Sequence, residues 1–280
     1  MVKKHKLWTV IIILIITSLY LVPRLSGQDI NSLACKEPKK IDGLVDDWDL
    51  NAFHSIKKVR VDYAVANDSR HLYLALVVKE PGRIMREPGL QGLITGITVY
   101  LSPAGKENKD IGYFFVQRRV SPEEAIAELE ASGQIIPEEQ KEKMRLAKFI
   151  QLYDGKPIGK VMKKRMEEAK GERMEKAIFR MNSNKEDLFI EIRMPFRPAE
   201  SMEPLLNLGQ SFNLGLEWGG KAVDLELMQY LQMELIKIWS WAPEAGLLPE
   251  MGTNLTDMPT RIRFRKFNFW NGVKLAEISE

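Results

Sequence analysis

The 280-residue sequence predicts an all-β fold, a two-sheet antiparallel β-sandwich. Short segments repeatedly alternate apolar and polar residues with period two, the mark of strands buried on one face. Clusters of Asn, Asp, Gly and Pro separate them at hairpin spacing. The alternation stops only once, over a charged stretch whose signals are helical. Composition agrees: 45% hydrophobic and 28% charged residues are ordinary for a globular chain long enough to bury a core.

The N-terminus carries an address. Lys3, Lys4, His5 and Lys6 precede an apolar run from Leu7 to Val22 that ends at Pro23. A basic region followed by such a run reads as a signal peptide or a signal-anchor helix over residues 1–22, and hence as export, with membrane attachment if the segment stays uncleaved. Residues 23–37 are polar and turn-rich and read as a linker. Ser32-Leu33-Ala34 offers a small-x-small cleavage pattern, and Cys35 a lipoprotein site with Ser32 where Leu is usual.

The strands begin with a hairpin. Val59, Val61, Tyr63 and Val65 share one face, Asn67-Asp68-Ser69-Arg70 makes the turn, and Leu72, Leu74, Leu76 and Val78 return. Ile97–Leu101 and Ile111–Gln117 flank a turn with Pro103, Gly105 and Asn108. Ala177–Met181 and Leu188–Met194 flank Asn182-Ser183-Asn184-Lys185. Phe212, Leu214, Leu216 and Trp218 alternate up to Gly219-Gly220, and Arg261–Phe269 alternates near the C-terminus. This density of strands argues for two packed sheets of the immunoglobulin or jelly-roll kind.

The exception, at about residues 121–176, reads as a helical insertion within the domain of residues 38–280. Ser121-Pro122-Glu123-Glu124 is a helix start, with Ser as N-cap and acids in the first turn. A second helix is expected from about Glu138 to Tyr153, and a third to about Lys176. From Glu138 to Lys176 twelve Lys and Arg stand against eight Asp and Glu, which suits a solvated face or a protein-docking surface.

Totals exclude several chemistries. A net charge of +3 gives no footprint for nucleic acid, and one cysteine allows no intramolecular disulfide and no cysteine-based zinc site. No nucleophile elbow, phosphate loop or His-Glu-x-x-His is present, so no enzyme is expected. Asp46, Asp47 and Asp49 around Trp48 could cap backbone amides or supply part of a structural calcium shell; no other cofactor is implied.

Ile41-Asp42-Gly43-Leu44-Val45-Asp46-Asp47-Trp48 resembles the opening element of the family-9 carbohydrate-binding-module-like (DOMON-like) fold. The hairpin with Val61, Tyr63, Asp68 and Leu72-Tyr73-Leu74-Ala75 is similar to the family's next stretch. Leu188 to Phe196 looks like its "E-x-x-I-P-F" strand, and Gly209 to Leu216 like its "G-x-x-F/W-x-x-N" strand. Trp241-Ala242-Pro243, with Met258-Pro259 and Ile262-Arg263-Phe264, resembles the closing region, although Thr260-Arg261 stands where the family often has Phe-Gly. The resemblance spans about residues 38–270 and implies a β-sandwich.

The family further implies a non-catalytic domain that binds glycan or polysaccharide ends, here in a bacterial envelope or outside the cell. Sugars pack their C–H faces on aromatic rings and need polar side chains at the rim. Trp218, Trp241 and Trp270 are therefore the candidate platforms, with Asn213, Glu217 and Arg263 as rim partners, whereas Trp48 is expected in the core. The alternative is a structural or protein-interaction sandwich docking through residues 121–176. A third reading is haem binding, as in related sandwiches, with Met162 and Met166 at helical spacing.

Overall fold

The computed structural model describes residues 29–80, 84, 88–131, 136–184, 186–220, 222–224 and 261–278. The expected signal segment lies outside these residues. Among the described residues no helix is long and apolar enough to cross a membrane.

Two sheets form the body. The first runs β1 (Ile30–Asn31), β14 (Phe267–Lys274), β11 (Ser211–Trp218), β6 (Ile97–Pro103), β7 (Gly112–Val120) and β8 (Ile150–Ile158). The second runs β2 (Leu33–Ala34), β4 (Val61–Asn67), β5 (His71–Lys79), β10 (Asp187–Pro195) and β9 (Ile178–Ser183), with β3 (His54–Ile56) also on β4. β12 (Ala222–Asp224) and β13 (Arg261–Arg263) make a separate two-stranded ribbon. The sheets are antiparallel except where β1 meets β14 and β2 meets β4.

The apolar faces read from the sequence meet between the sheets. Val61, Leu74, Leu76, Ile190 and Ile192 from one side join Val99, Phe115, Phe212, Leu214 and Leu216 from the other, all essentially without solvent contact. The hairpin is in the expected register, with Val65 opposite Leu74 and Tyr63 opposite Leu76.

The second sheet is covered on its other face too. His71 through Val78 of β5 are buried without alternation, because Val45 and Trp48 pack over Ala64, Ala66, Tyr73, Ala75 and Val77. The lid is held by Glu191, which is fully buried on β10. Its carboxylate accepts from Trp48 Nε1–H at 2.9 Å, Gly43 N–H at 2.8 Å and Asp42 N–H at 3.1 Å. Gly43 has φ +84°, and a Cβ there would come within 2.9 Å of Asn182 Cβ, so glycine is required at this position.

Two expectations are corrected. Residues 30–34 are not linker: the chain adds β1 to one sheet and β2 to the other, crossing between them at buried Ser32. Ser32 Oγ donates to Asn67 Oδ1 and accepts from Ala276 N–H at 2.8 Å, while Asn67 Oδ1 accepts from the same N–H at 3.0 Å. The second expected helix is also cut short. Within residues 121–176 the helices are α1 (Pro122–Ala131), α2 (Glu138–Arg145) and α3 (Lys160–Glu168), and residues 150–158 form β8 rather than helix. β8 pairs along the whole of β7, satisfying a ladder edge that would otherwise be open. Gly155 and Pro157, which look like helix breakers, are tolerated on an edge strand.

The helix start is as expected, with Glu124 N–H donating to Ser121 Oγ at 3.2 Å. α1 is tied to the first sheet by Arg118, which donates to Asp154 at 2.5 Å and contacts Glu124 and Glu128.

Burial raises the Glu191 carboxyl above its usual range, against the pull of its N–H donors. The folded chain thus holds this proton more tightly than the unfolded chain. Its stability contribution is lowest above the raised pKa and grows as pH falls through it towards the ordinary glutamate value. Chemical denaturation from about pH 7 to about pH 5 should therefore shift in favour of wild type over Glu191→Gln as pH falls. Glu191→Leu, which orphans the N–H donors, should cost roughly 3 kcal/mol or more at neutral pH.

Candidate functional site

β11 divides its residues between two environments. Phe212, Leu214, Leu216 and Trp218 face the core, so Asn213, Gly215 and Glu217 lie on the outer face of the first sheet. In register beside them stand Trp270 and Asn268 on β14 and Tyr100 and Thr98 on β6.

Trp270, Gly215 and Tyr100 form one cross-strand row. A Cβ at Gly215 would lie 2.5 Å from Cζ3 and 2.6 Å from Cη2 of Trp270, so the indole occupies the space that glycine leaves. Tyr100 uses Gly112 on β7 the same way, with Cδ1 only 2.8 Å from where a Cβ would sit. The two rings are nearly parallel, with an interplanar angle of 18° and centroids 5.9 Å apart. The indole is half-buried, and Tyr100 is buried beneath its neighbours at 8% exposure.

Charged groups border the rings. Lys109 Nζ lies 5.2 Å from the Tyr100 ring centroid and donates to Glu217 Oε2. Lys266 Nζ reaches Glu217 Oε1 at 2.9 Å. Burial alone would raise the Glu217 carboxyl, but the bonds from Lys109 and Lys266 prevail and hold it below the usual range. Glu217 therefore stays ionised, and the stability it adds is present above the ordinary glutamate value and lost only as pH falls through the lowered one. Asn213 Nδ2 donates to Lys106 O at 2.6 Å, fixing the loop that carries Lys109. Burial, followed by the charge of Glu217, raises the Tyr100 hydroxyl.

Of the expected site residues, Trp270, Asn213 and Glu217 are thus brought together. Trp218 is a correction. It is 1% exposed, stacks on Phe267 with centroids 4.3 Å apart, and donates Nε1–H to Gly89 O at 2.6 Å. Its place at the strand end suggested a rim, but its strand face decides. Arg263 is exposed in the β12–β13 ribbon and pairs with Ala222, away from the row. Trp241 lies outside the described residues. Tyr100, Lys109 and Lys266 were missed; the signal available was glycine on the outer faces of β11 and β7, opposite aromatic residues on neighbouring strands.

The aspartates of the opening element cap and pair. Asp49 accepts from Asn51 N–H at 2.9 Å and caps a short turn of 3-10 helix, Asp47 pairs with Lys39 at 3.6 Å, and Asp46 is exposed. Among the described residues no group of three or more His, Cys, Asp or Glu could hold a metal ion. Of the side chains named for the haem reading, Met162 is fully buried in the core and Met166 packs against it, while His71 lies between Asp68 and Glu175.

No protein-family model matches the chain, and no curated protein matches its sequence. Among solved structures it is similar to a family-9 carbohydrate-binding module from Caldicellulosiruptor kristjanssonii in complex with glucose, at 10% identity, covering 90% of this chain and 98% of that one, with a TM-score of 0.37. A family-9 module from that organism in complex with cellotriose is similar at 11% identity, covering 90% and 96%, with a TM-score of 0.38.

Gly215→Val should drive the Trp270 ring off the sheet. The expected outcome is a changed tryptophan emission spectrum and a melting temperature lowered by several degrees, about 2–4 °C per kcal/mol for a domain of this size.

Proposed function

We propose that the chain is a non-catalytic carbohydrate-binding domain that receives a sugar on Trp270 and Tyr100. The observation that carries this reading is the near-parallel pair of rings laid over glycines, with Glu217, Lys109 and Lys266 at their border. Flat aromatic surface suits the C–H face of a pyranose. Ionised groups suit its hydroxyls, because hydrogen bonds to charged partners are the stronger ones. The ordered motifs over residues 41–48, 61–75, 188–196 and 209–216 support the same reading. The basic N-terminus and the apolar run after it add export to the proposal, with the domain working on glycan or polysaccharide ends in a bacterial envelope or beyond it.

Hydrolysis is not part of the proposal. Glycosidases need a carboxyl that carries a proton at working pH, placed across the ring from a second one. Glu217, kept ionised by two lysines, is the opposite of such an acid. Docking through the insertion draws little support from its charges. In α2, Glu138 and Glu142 pair with Arg145, Glu139 pairs with Lys143, and Lys141 reaches Glu130.

A glycan array followed by isothermal titration on the full-length chain tests the reading. Trp270→Ala should weaken binding of a hit at least about tenfold, equal to about 1.4 kcal/mol, and Glu217→Gln should weaken it too, with both variants still folded by circular dichroism at the assay temperature. The reading is wrong if no glycan binds, or if both variants bind like wild type.

A further inference from the structure

A second concavity lies apart from the aromatic face and shares no residue with it. It is a cleft of about 1390 Å³ formed by the β4–β5 turn, the stretch leading into β9, and the loop after β10. That is larger than the ~300–1,000 Å³ typical of a small-molecule site, and it suits an extended ligand.

Its charges are unequal. Arg173, Lys176 and Arg197 are exposed on the lining and have no ion pair among the described residues. Arg193 lines the floor with its Nε buried and without a hydrogen-bond partner. The acids are largely engaged. Glu175 Oε1 lies 2.7 Å from His71 Nε2 and 3.9 Å from Arg193, and Glu175 Oε2 lies 3.7 Å from Arg70. Glu172 accepts from Ser201 N–H at 3.2 Å. Glu200 is the remaining acid on the lining, so cations outnumber acids.

We propose that this cleft binds the acidic group of a charged saccharide, such as the carboxylate of a uronic-acid unit. The proposal rests on the carbohydrate-binding reading and adds a ligand class and a separate location. The fork of an arginine matches a carboxylate with two parallel hydrogen bonds, and Arg193 and Arg197 supply two such forks on one lining. Leu208, which is 39% exposed, and half-buried Met174 and Ile178 give the same cleft apolar surface for the C–H faces of the sugar units. A bare inorganic anion would leave that apolar wall unused.

The test is titration of the full-length chain with oligogalacturonate, uncharged cello-oligosaccharide and inorganic sulfate. Wild type should bind oligogalacturonate, with affinity falling as salt rises from about 0.05 M to about 0.3 M. The paired change Arg173→Glu with Arg197→Glu should weaken that binding at least tenfold and leave binding of the uncharged oligosaccharide unmoved. Arg173→Gln with Arg197→Gln, which keeps side-chain bulk, guards against misfolding and should show a smaller loss at unchanged melting temperature. Oligogalacturonate binding that ignores both pairs would overturn the proposal, as would sulfate binding as tightly as the saccharide. If the uncharged oligosaccharide binds and oligogalacturonate does not, the acidic-ligand proposal falls and the carbohydrate reading stands. If neither binds, the acidic-ligand proposal falls, and the glycan array decides the carbohydrate reading.

Discussion

The fold depends on one buried carboxylate. Glu191 lies where a central strand would otherwise show its outer face to water, and it gathers three N–H donors from the chain's opening segment. Without that acceptor, Trp48 and the turn at Asp42-Gly43 would have no polar partner on the sheet, and Tyr73, Ala75 and Val77 would lose their cover. A layer buried on both sides cannot slip by one residue, because either face would then bring a wrong side chain inward. The second sheet is thereby covered on both faces, whereas the first carries the Trp270–Tyr100 row on its outer face.

That division explains how the two candidate sites differ. The aromatic face is made of side chains fixed by strand register, and its charges are already matched within the chain through Lys109, Glu217 and Lys266. The cleft is bordered by turns and loops and retains an excess of positive charge. Preorganised aromatic contact beside paired charges and a cleft with unpaired cations are different means of holding a ligand, and they favour different ligands.

Much of the fold was legible because core-facing positions obey a period of two. The hairpin at Asn67–Arg70, the inward row on β11 and the Ser121 cap are all local patterns. What escaped was non-local. Residues 150–158 carry Gly155 and Pro157 and have no clean alternation; they become a strand because β7 needs a partner, a demand that arises elsewhere in the chain. The bond between Glu191 and Trp48 spans 143 residues, so both ends were visible and their meeting was not. Tyr100 resembled one more strand aromatic until the glycine at 112 placed its ring on the outer surface. Trp218 was misjudged by weighing its position along the strand above its parity.

The crossing at Ser32 bears on how an exported chain could mature. From Ile30 onward the chain is already part of the folded body, with Ile30 and Ser32 buried and the two short strands paired to different sheets. A peptidase cutting after Ala34 would strip both short strands and break the clasp on Asn67 and Ala276, and acylation at Cys35 requires that same cut. Any leader removed without harm to the sandwich must therefore end upstream of the seam.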